Sequence, residues 1–273
     1  LLNVWLYPSV KSVLFWDTLV LNGYLGLNII IGWKVLEAER NQVEPPLWTK
    51  PLIYLSIPFA IGIHTVTAYL YCGLPGRGYW LTAILAPRFL ASAFAAGPAF
   101  LIILCYIIKK FTKFDPGWEA IQTLSKIVCW AIIANLFFFF CEVFVVFYSN
   151  IPGHLAHMQY LLFGYHGYHA LVPWMWTGIT LMILGAVFLV IPQLRNNKTL
   201  LPFTCAMIFI GAWIDKGLGM ISGGFVPSPL HHVTEYAPSG KEIIITLAVY
   251  ATGFLILTIL FKIATQVKEE VRG

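Results

Sequence analysis

Apolar residues run in long blocks along the chain, separated by short polar or Pro/Gly-rich breaks. One helix needs about 20 consecutive apolar residues to cross a bilayer core. Blocks of that kind fall at residues 11–36, 51–72, 79–108, 118–148, 169–191, 199–220 and 241–262. They predict an all-α integral membrane fold of about seven transmembrane helices, in one transmembrane domain over residues 1–273. The breaks read as loops: EAERNQVEPPLWTK (Glu37–Lys50), GLPGRG (Gly73–Gly78), KKFTKFDPG (Lys109–Gly117) and Gln193–Lys198. Ser149–Tyr168, amphipathic and His-rich, and Ile221–Gly240, rich in Gly and Pro, read as longer surface segments. The fourth block is long enough to tilt or to project from the bilayer.

Composition agrees. Charged residues are 11% of the chain, against about 25% in soluble domains, so the blocks read as spans in lipid. The net charge of +5 does not point to nucleic acid, because the basic residues sit in short loops beside apolar spans. Lys34, Arg40, Lys50, Lys109, Lys110, Lys113, Arg195, Lys198, Lys262, Lys268 and Arg272 fall at one membrane side. Only Lys11, Arg77, Lys216 and Lys241 fall at the other. The positive-inside rule makes the first side cytoplasmic. The expected location is the cytoplasmic (inner) membrane, with the N-terminus of this chain extracytoplasmic and its C-terminus cytoplasmic. The two long segments then face outward and suit an extracytoplasmic partner. No signal peptide is evident, and the chain opens LLNVWLYPSV without Met, as if it began mid-protein.

Polar residues inside spans change the picture further, since such residues mark function by default. His64 lies within the second block, with Thr65 and Thr67 beside it and Pro58 below it. In the first block Asp17, Leu21, Tyr24 and Asn28 step along one helical face, and Asn22 lies nearby. Counting from the outer ends of the blocks, Asp17 lies about 8 Å deep, His64 about 12 Å, Arg88 about 13 Å and Asn22 about 15 Å. Glu142 lies at a similar level. Each has a structural reading too. Asp17 suits an N-cap-like acid, and Arg88 a structural partner for Asp17 or Glu142. His64 suits a ring satisfied by a carbonyl freed at Pro58, and Asp215–Lys216 an interfacial ion pair.

A histidine, an acid and an arginine near one face suit two-electron quinol chemistry. A quinone needs an apolar slot and a group that exchanges protons with its oxygens. A b-type haem would need two imidazoles at one depth on facing helices, and only His64 is clearly inside a span. The five cysteines (Cys72, Cys105, Cys129, Cys141, Cys205) form no metal-ligand or haem-attachment spacing. No haem, iron–sulfur cluster or metal is expected in this chain.

Several separate segments carry a resemblance. FWDTLVLNGYLGLN (Phe15–Asn28), IHTVTAYLY (Ile63–Tyr71), PRFLASAFAAGPA (Pro87–Ala99), CEVFVVFYSN (Cys141–Asn150), YHALVPWMW (Tyr168–Trp176), WIDKGLGMISGGFVPSP (Trp213–Pro229) and EYAPSGKE (Glu235–Glu242) resemble the NrfD/PsrC family. These are membrane quinol-interacting subunits, and the likeness is to the DsrP/HmcC type of sulfur and sulfate metabolism. The resemblance implies a four-helix-bundle arrangement, and menaquinone bound near the extracytoplasmic face with no redox cofactor in the subunit itself. It also implies an extracytoplasmic iron–sulfur partner, with cytochrome b, multihaem cytochrome c and cytoplasmic iron–sulfur subunits as neighbours. Relatives of this type often have ten spans, so N-terminal helices of a longer parent are expected to be lacking here.

The expectation is a menaquinol-interacting subunit of a respiratory complex. His64 exchanges protons with the quinone, tuned by Asp17 and Arg88. Asn22, Thr67 and Tyr71 line the slot, and Glu142, Asp215 and Lys216 serve proton transfer or ion pairing. Two other readings stand beside it: a membrane scaffold that docks redox subunits without quinol chemistry, and, more weakly, a transporter.

Overall fold

In a bilayer every backbone N–H and C=O must be bonded within the span, so each long apolar block closes into a helix. The structure, a computed structural model, describes residues 2–112, 114–230, 232–235 and 237–272, with no account of the side chains of 269–272. Lys113 and His231, placed in loops by sequence, and the Arg272 side chain lie outside the described residues. In chain order the helices are α1 (Leu2–Leu6), α2 (Val13–Arg40), α3 (Thr49–Cys72), α4 (Leu85–Phe111) and α5 (Trp118–Ser149). They continue with α6 (Pro152–Leu162), α7 (Val172–Val190), α8 (Pro192–Arg195), α9 (Leu200–Trp213), α10 (Gly223–Phe225) and α11 (Gly240–Arg272). A 3₁₀ turn at Gly78–Trp80 precedes α4, and a π-helix, Ile214–Ser222, joins α9 to α10. Seven of these segments are long and apolar enough to span a membrane, the sixth running through the π-helix as Leu200–Phe225.

The chain divides into two units, Leu1–Ile63 with Tyr236–Gly273, and His64–Glu235; the boundary falls inside α3. In the first unit α11 packs along α2, and Lys268 Nζ lies 3.8 Å from Glu39 Oε1. Gly23 lies against the Phe59 ring and Gly62 against Val20, which lets α2 and the start of α3 come close. Asp17 lies in the second turn of α2, beyond its N-cap Ser12, so it does not act as an N-capping acid.

In the second unit α4, α5, α7 and α9 form a closed bundle, with α4 against α5 and α9, and α7 against both. The buried positions of α5 include Ile121, Ser125, Val128, Ile132, Asn135, Phe139, Glu142 and Val146. They alternate steps of four and three, which keeps one seam facing its neighbours over the whole helix. On α4 the matching seam is Arg88, Ser92, Ala95, Ala99 and Ile102. Its small residues allow close approach, as membrane helix interfaces require. Helices α7 and α9 meet at glycines: a Cβ on Gly211 would lie 2.9 Å from the Gly178 carbonyl oxygen. The core below the charged end joins Ala99, Ile132, Met182, Leu189, Leu201 and Ile208.

Two segments read as surface from the sequence are partly built into this unit. Helix α6 buries Ala156, His157, Met158, Tyr160, Leu161 and Leu162. Gly223 and Gly224 of α10 lie against Leu161 and Trp80 with no room for side chains. His157 Nδ1 lies 2.8 Å from the Val226 carbonyl and 3.1 Å from that of Gly223. Since both partners are acceptors, Nδ1 carries the proton and donates. Burial holds the imidazole below its ordinary value, against the opposing pull of these carbonyls.

A pH dependence follows from this clasp. The unfolded chain takes up a proton below about pH 6.5 that the buried ring resists. Stability from the clasp is therefore complete above that pH and declines as pH falls below it. Thermal midpoints of wild type should fall more steeply than those of His157→Gln between pH 6.5 and 5. Parallel curves would show that the ring is not held neutral.

Candidate functional site

The first turn of α4 tolerates Pro87, because its N–H would lack a helical partner there. The turn delivers Arg88 to the bundle interior, where the residue is fully buried. Seven residues before the end of α5, the seam delivers Glu142, also buried. The third wall is the π-helix, whose i→i+5 turns widen the backbone at Asp215 and Lys216. Gly219 lies against the Met175 sulfur with no room for a side chain, and Trp80 Nε1 donates to the Met220 carbonyl at 2.8 Å.

Arg88 joins these elements. One terminal nitrogen of its guanidinium donates to Glu142 Oε2, and the other to Asp215 Oδ1 at 2.5 Å. Lys216 Nζ lies 3.4 Å from Asp215 Oδ2. The Arg88 guanidinium stands over the Phe139 ring, and the Lys216 ammonium over Phe89. With all four ionised the cluster carries two positive and two negative charges. Burying charge in low dielectric is tolerated only with such pairing.

Three buried atoms at the cluster form no hydrogen bond among the described residues: Arg88 Nε, Asp215 Oδ2 and Lys216 Nζ. The Tyr79 hydroxyl, from the 3₁₀ turn, is likewise buried and unbonded. Burial pushes its phenol up, Glu142 pushes it further, and Arg88 opposes. A cavity of ≈ 130 Å³ reaches this point, lined by Tyr79, Thr82, Glu142, Ser149 and His154 among others. The arrangement holds balanced charge and opens Glu142 to a small cavity whose mostly apolar wall also carries Tyr79, Thr82, Ser149 and His154.

The sequence-selected residues divide. Arg88, Glu142, Asp215 and Lys216 come together. The acids that Arg88 engages are Glu142 and Asp215, in place of a choice between Asp17 and Glu142. Asp215–Lys216 is a correction to the interfacial reading: the π-helix turns Asp215 inward to 1% exposure, onto Arg88. His64, Thr67 and Tyr71 share a face of α3 at i, i+3 and i+7. The His64 ring is half-buried and forms no hydrogen bond among the described residues. Tyr71 stacks on Phe89 with centroids 6.3 Å apart and meets Trp80 edge-on at 4.9 Å. Through Phe89, this α3 face abuts the ring beneath Lys216. Asp17 and Asn22 belong to the other unit. Asn22 Nδ2 there donates to the Thr18 carbonyl of its own helix at 2.8 Å. Sequence reasoning missed Tyr79 because it read as the apolar start of a span. Its signal was the break Gly73–Gly78 just before it.

The family profile described as "Polysulphide reductase, NrfD" matches residues 1–226. The chain belongs to the NrfD family. Among relatives, a putative dimethyl sulfoxide reductase membrane subunit of Halobacterium salinarum is 23% identical, over 90% of this chain and 59% of its own length. The menaquinone reductase integral membrane subunit of Nitratidesulfovibrio vulgaris is 24% identical, over 64% of this chain and 42% of its own. A selenate reductase subunit of Mesobacillus selenatarsenatis is 26% identical, over 50% and 32%. The chain spans less than two thirds of each of these proteins.

Proposed function

We propose that this NrfD-family chain is the menaquinol-interacting membrane subunit of a respiratory reductase complex. It exchanges electrons between the quinone pool and an extracytoplasmic iron–sulfur subunit, in the cytoplasmic membrane. The link to sulfur or sulfate metabolism and the DsrP/HmcC type, with cytochrome neighbours, belong to the same proposal and rest on the sequence resemblance. The relative named as a menaquinone reductase membrane subunit supports the substrate class. The observation that carries the chemistry is the buried, balanced cluster of Arg88, Glu142, Asp215 and Lys216 beside the aromatic face of Tyr71 and Phe89.

A quinol yields two electrons and two protons on oxidation, and the iron–sulfur partner takes the electrons. This chain's residues handle the protons and the apolar ring. The His64 imidazole, without a protein partner among the described residues, accepts a proton on its free nitrogen. Thr67 and Tyr71 bound the same face, and Tyr71 is held by Phe89 and Trp80. Roles for Asp17 and Asn22 rest only on their depth along α2. Arg88 holds Glu142 and Asp215 in place. A proton added to Glu142 leaves the cluster with net positive charge in low dielectric, which is costly unless Lys216 gives one up. Uptake at one group is thereby tied to release at another, and the cavity at Tyr79, Ser149 and His154 offers the route outward.

The test is titration of the purified complex with a quinol analogue, with assembly of this chain checked in parallel. One saturable site that disappears when the complex lacks this chain is the expected result. With the chain assembled but no saturable site attributable to it, the scaffold reading replaces this one.

A further inference from the structure

We propose that the bundle end opposite the charge cluster carries a pocket for the phosphate of an anionic phospholipid. The end of α4, the start of α5 and the loop before α9 enclose a pocket of ≈ 360 Å³ there. Its polar lining is Lys109, Lys110 and Lys198 with Asp115 and Tyr106, and Trp118 forms one wall. The lining thus carries three lysines and one carboxylate.

Asp115 is matched by Lys109, whose Nζ lies 2.5 Å from its Oδ2. That ammonium and the Gly117 N–H hold the carboxyl below the usual range, so it stays ionised. Lys110 and Lys198 form no ion pair among the described residues. Lys198 stands over the Trp118 ring at 5.2 Å, which fixes its charge at the pocket wall. The local surplus is two positive charges.

Two further donors point to an anion. The Tyr106 hydroxyl is buried at the pocket without a hydrogen-bond partner among the described residues. A buried hydroxyl left unbonded is costly, and a ligand oxygen would satisfy it. The 32-residue α5 begins at Trp118, and its N-cap Gly117 gives no side-chain cap, so its first-turn amides and positive dipole end favour a phosphate oxygen. Glu119 of that turn is exposed and does not line the pocket.

The position selects a lipid over a soluble anion. Both α4 and α5 are spans, so the pocket lies where they leave the hydrocarbon, at headgroup level. Ile121 supplies an apolar floor, and Trp118 is the residue type that sits at this boundary. The Lys/Arg distribution makes this side cytoplasmic, where anionic lipids bind basic pockets between helices. A headgroup there would tie α4, α5 and the α9 loop together.

Native mass spectrometry of the purified complex, with the full chain, tests this. The probes are dioleoylphosphatidylglycerol and dioleoylphosphatidylcholine, with inorganic phosphate in excess as a third arm. Wild type should retain phosphatidylglycerol in clear preference to phosphatidylcholine. Lys110→Gln/Lys198→Gln should weaken that retention about 30-fold. The single Lys198→Gln, an exposed change, should give an intermediate value, and Tyr106→Phe a several-fold loss at unchanged thermal midpoint. Equal retention of the two lipids, or wild-type retention by the double variant, overturns the proposal. Full displacement of phosphatidylglycerol by inorganic phosphate would show a general anion site and overturn the lipid assignment.

Discussion

Arg88→Met should destabilise the protein by about 3–5 kcal/mol, because it leaves two buried carboxylates facing one lysine. A domain is stable by only about 5–15 kcal/mol, so much of the protein should fail to assemble. The charge count makes a sharper prediction. Arg88→Met changes the cluster by one negative charge, and Glu142→Gln changes it by one positive charge. The double variant leaves Asp215 with Lys216, which again sums to zero. Arg88→Met/Glu142→Gln should therefore be more stable than Arg88→Met alone, a coupling that non-interacting sites do not show. The readouts are the assembled fraction in detergent and its thermal midpoint. A double variant no better than the worse single would mean that shape rather than charge balance holds this end of the bundle. Arg88→Lys should not substitute, since one ammonium cannot reproduce a guanidinium spanning two acids.

How much of this was legible depends on which physical signal each part carries. The spans were legible because length and apolarity are nearly sufficient when every backbone group must be bonded internally. Arg88 and Glu142 stood out because a charge in an apolar block is costly. Asp215 stood out too, but as one half of a pair with Lys216 rather than as a partner of Arg88. Asp215 sits in WIDKGLG, near the predicted end of a block, where a charged pair normally lies at the interface. The π-helix overrides that reading: its wider turns shift the register and carry Asp215 inward. A 3.6-residue periodicity has no term for such a change.

The start of α4 shows a second limit. Apolarity continues from Tyr79 to Leu85, so the sequence reads one span from Tyr79. The structure breaks it into the 3₁₀ turn and then α4, which leaves Tyr79 and Trp80 pointing inward as buried rings. Helix α6 was hidden for a similar reason. Its histidines suggested a wet surface, but His157 is buried and bonded to backbone carbonyls that chain order places far away. Long-range pairing of a polar residue cannot be read from its neighbours. The face of His64, Thr67 and Tyr71 was legible, since it depends only on helical spacing.

Replacing His64 should separate proton exchange from binding. In His64→Gln the side chain still hydrogen-bonds but cannot take a proton near neutral pH. Quinol oxidation should fall by about 10²-fold or more, the usual contribution of a positioned acid–base group, while quinol-analogue affinity stays within several-fold. His64→Ala removes both functions and should lose affinity as well as rate. Neither change should unfold the chain, because the ring is half-buried and forms no hydrogen bond among the described residues. This contrasts with Arg88, whose loss acts through stability, and the two series together separate chemistry from architecture. Wild-type rates in both His64 variants, at normal assembly, would remove His64 from the mechanism. The proton acceptor would then be sought at Glu142, the carboxylate that reaches a cavity. Loss of rate in His64→Gln with affinity intact would instead fix the imidazole as the first proton acceptor, with the buried cluster acting after it.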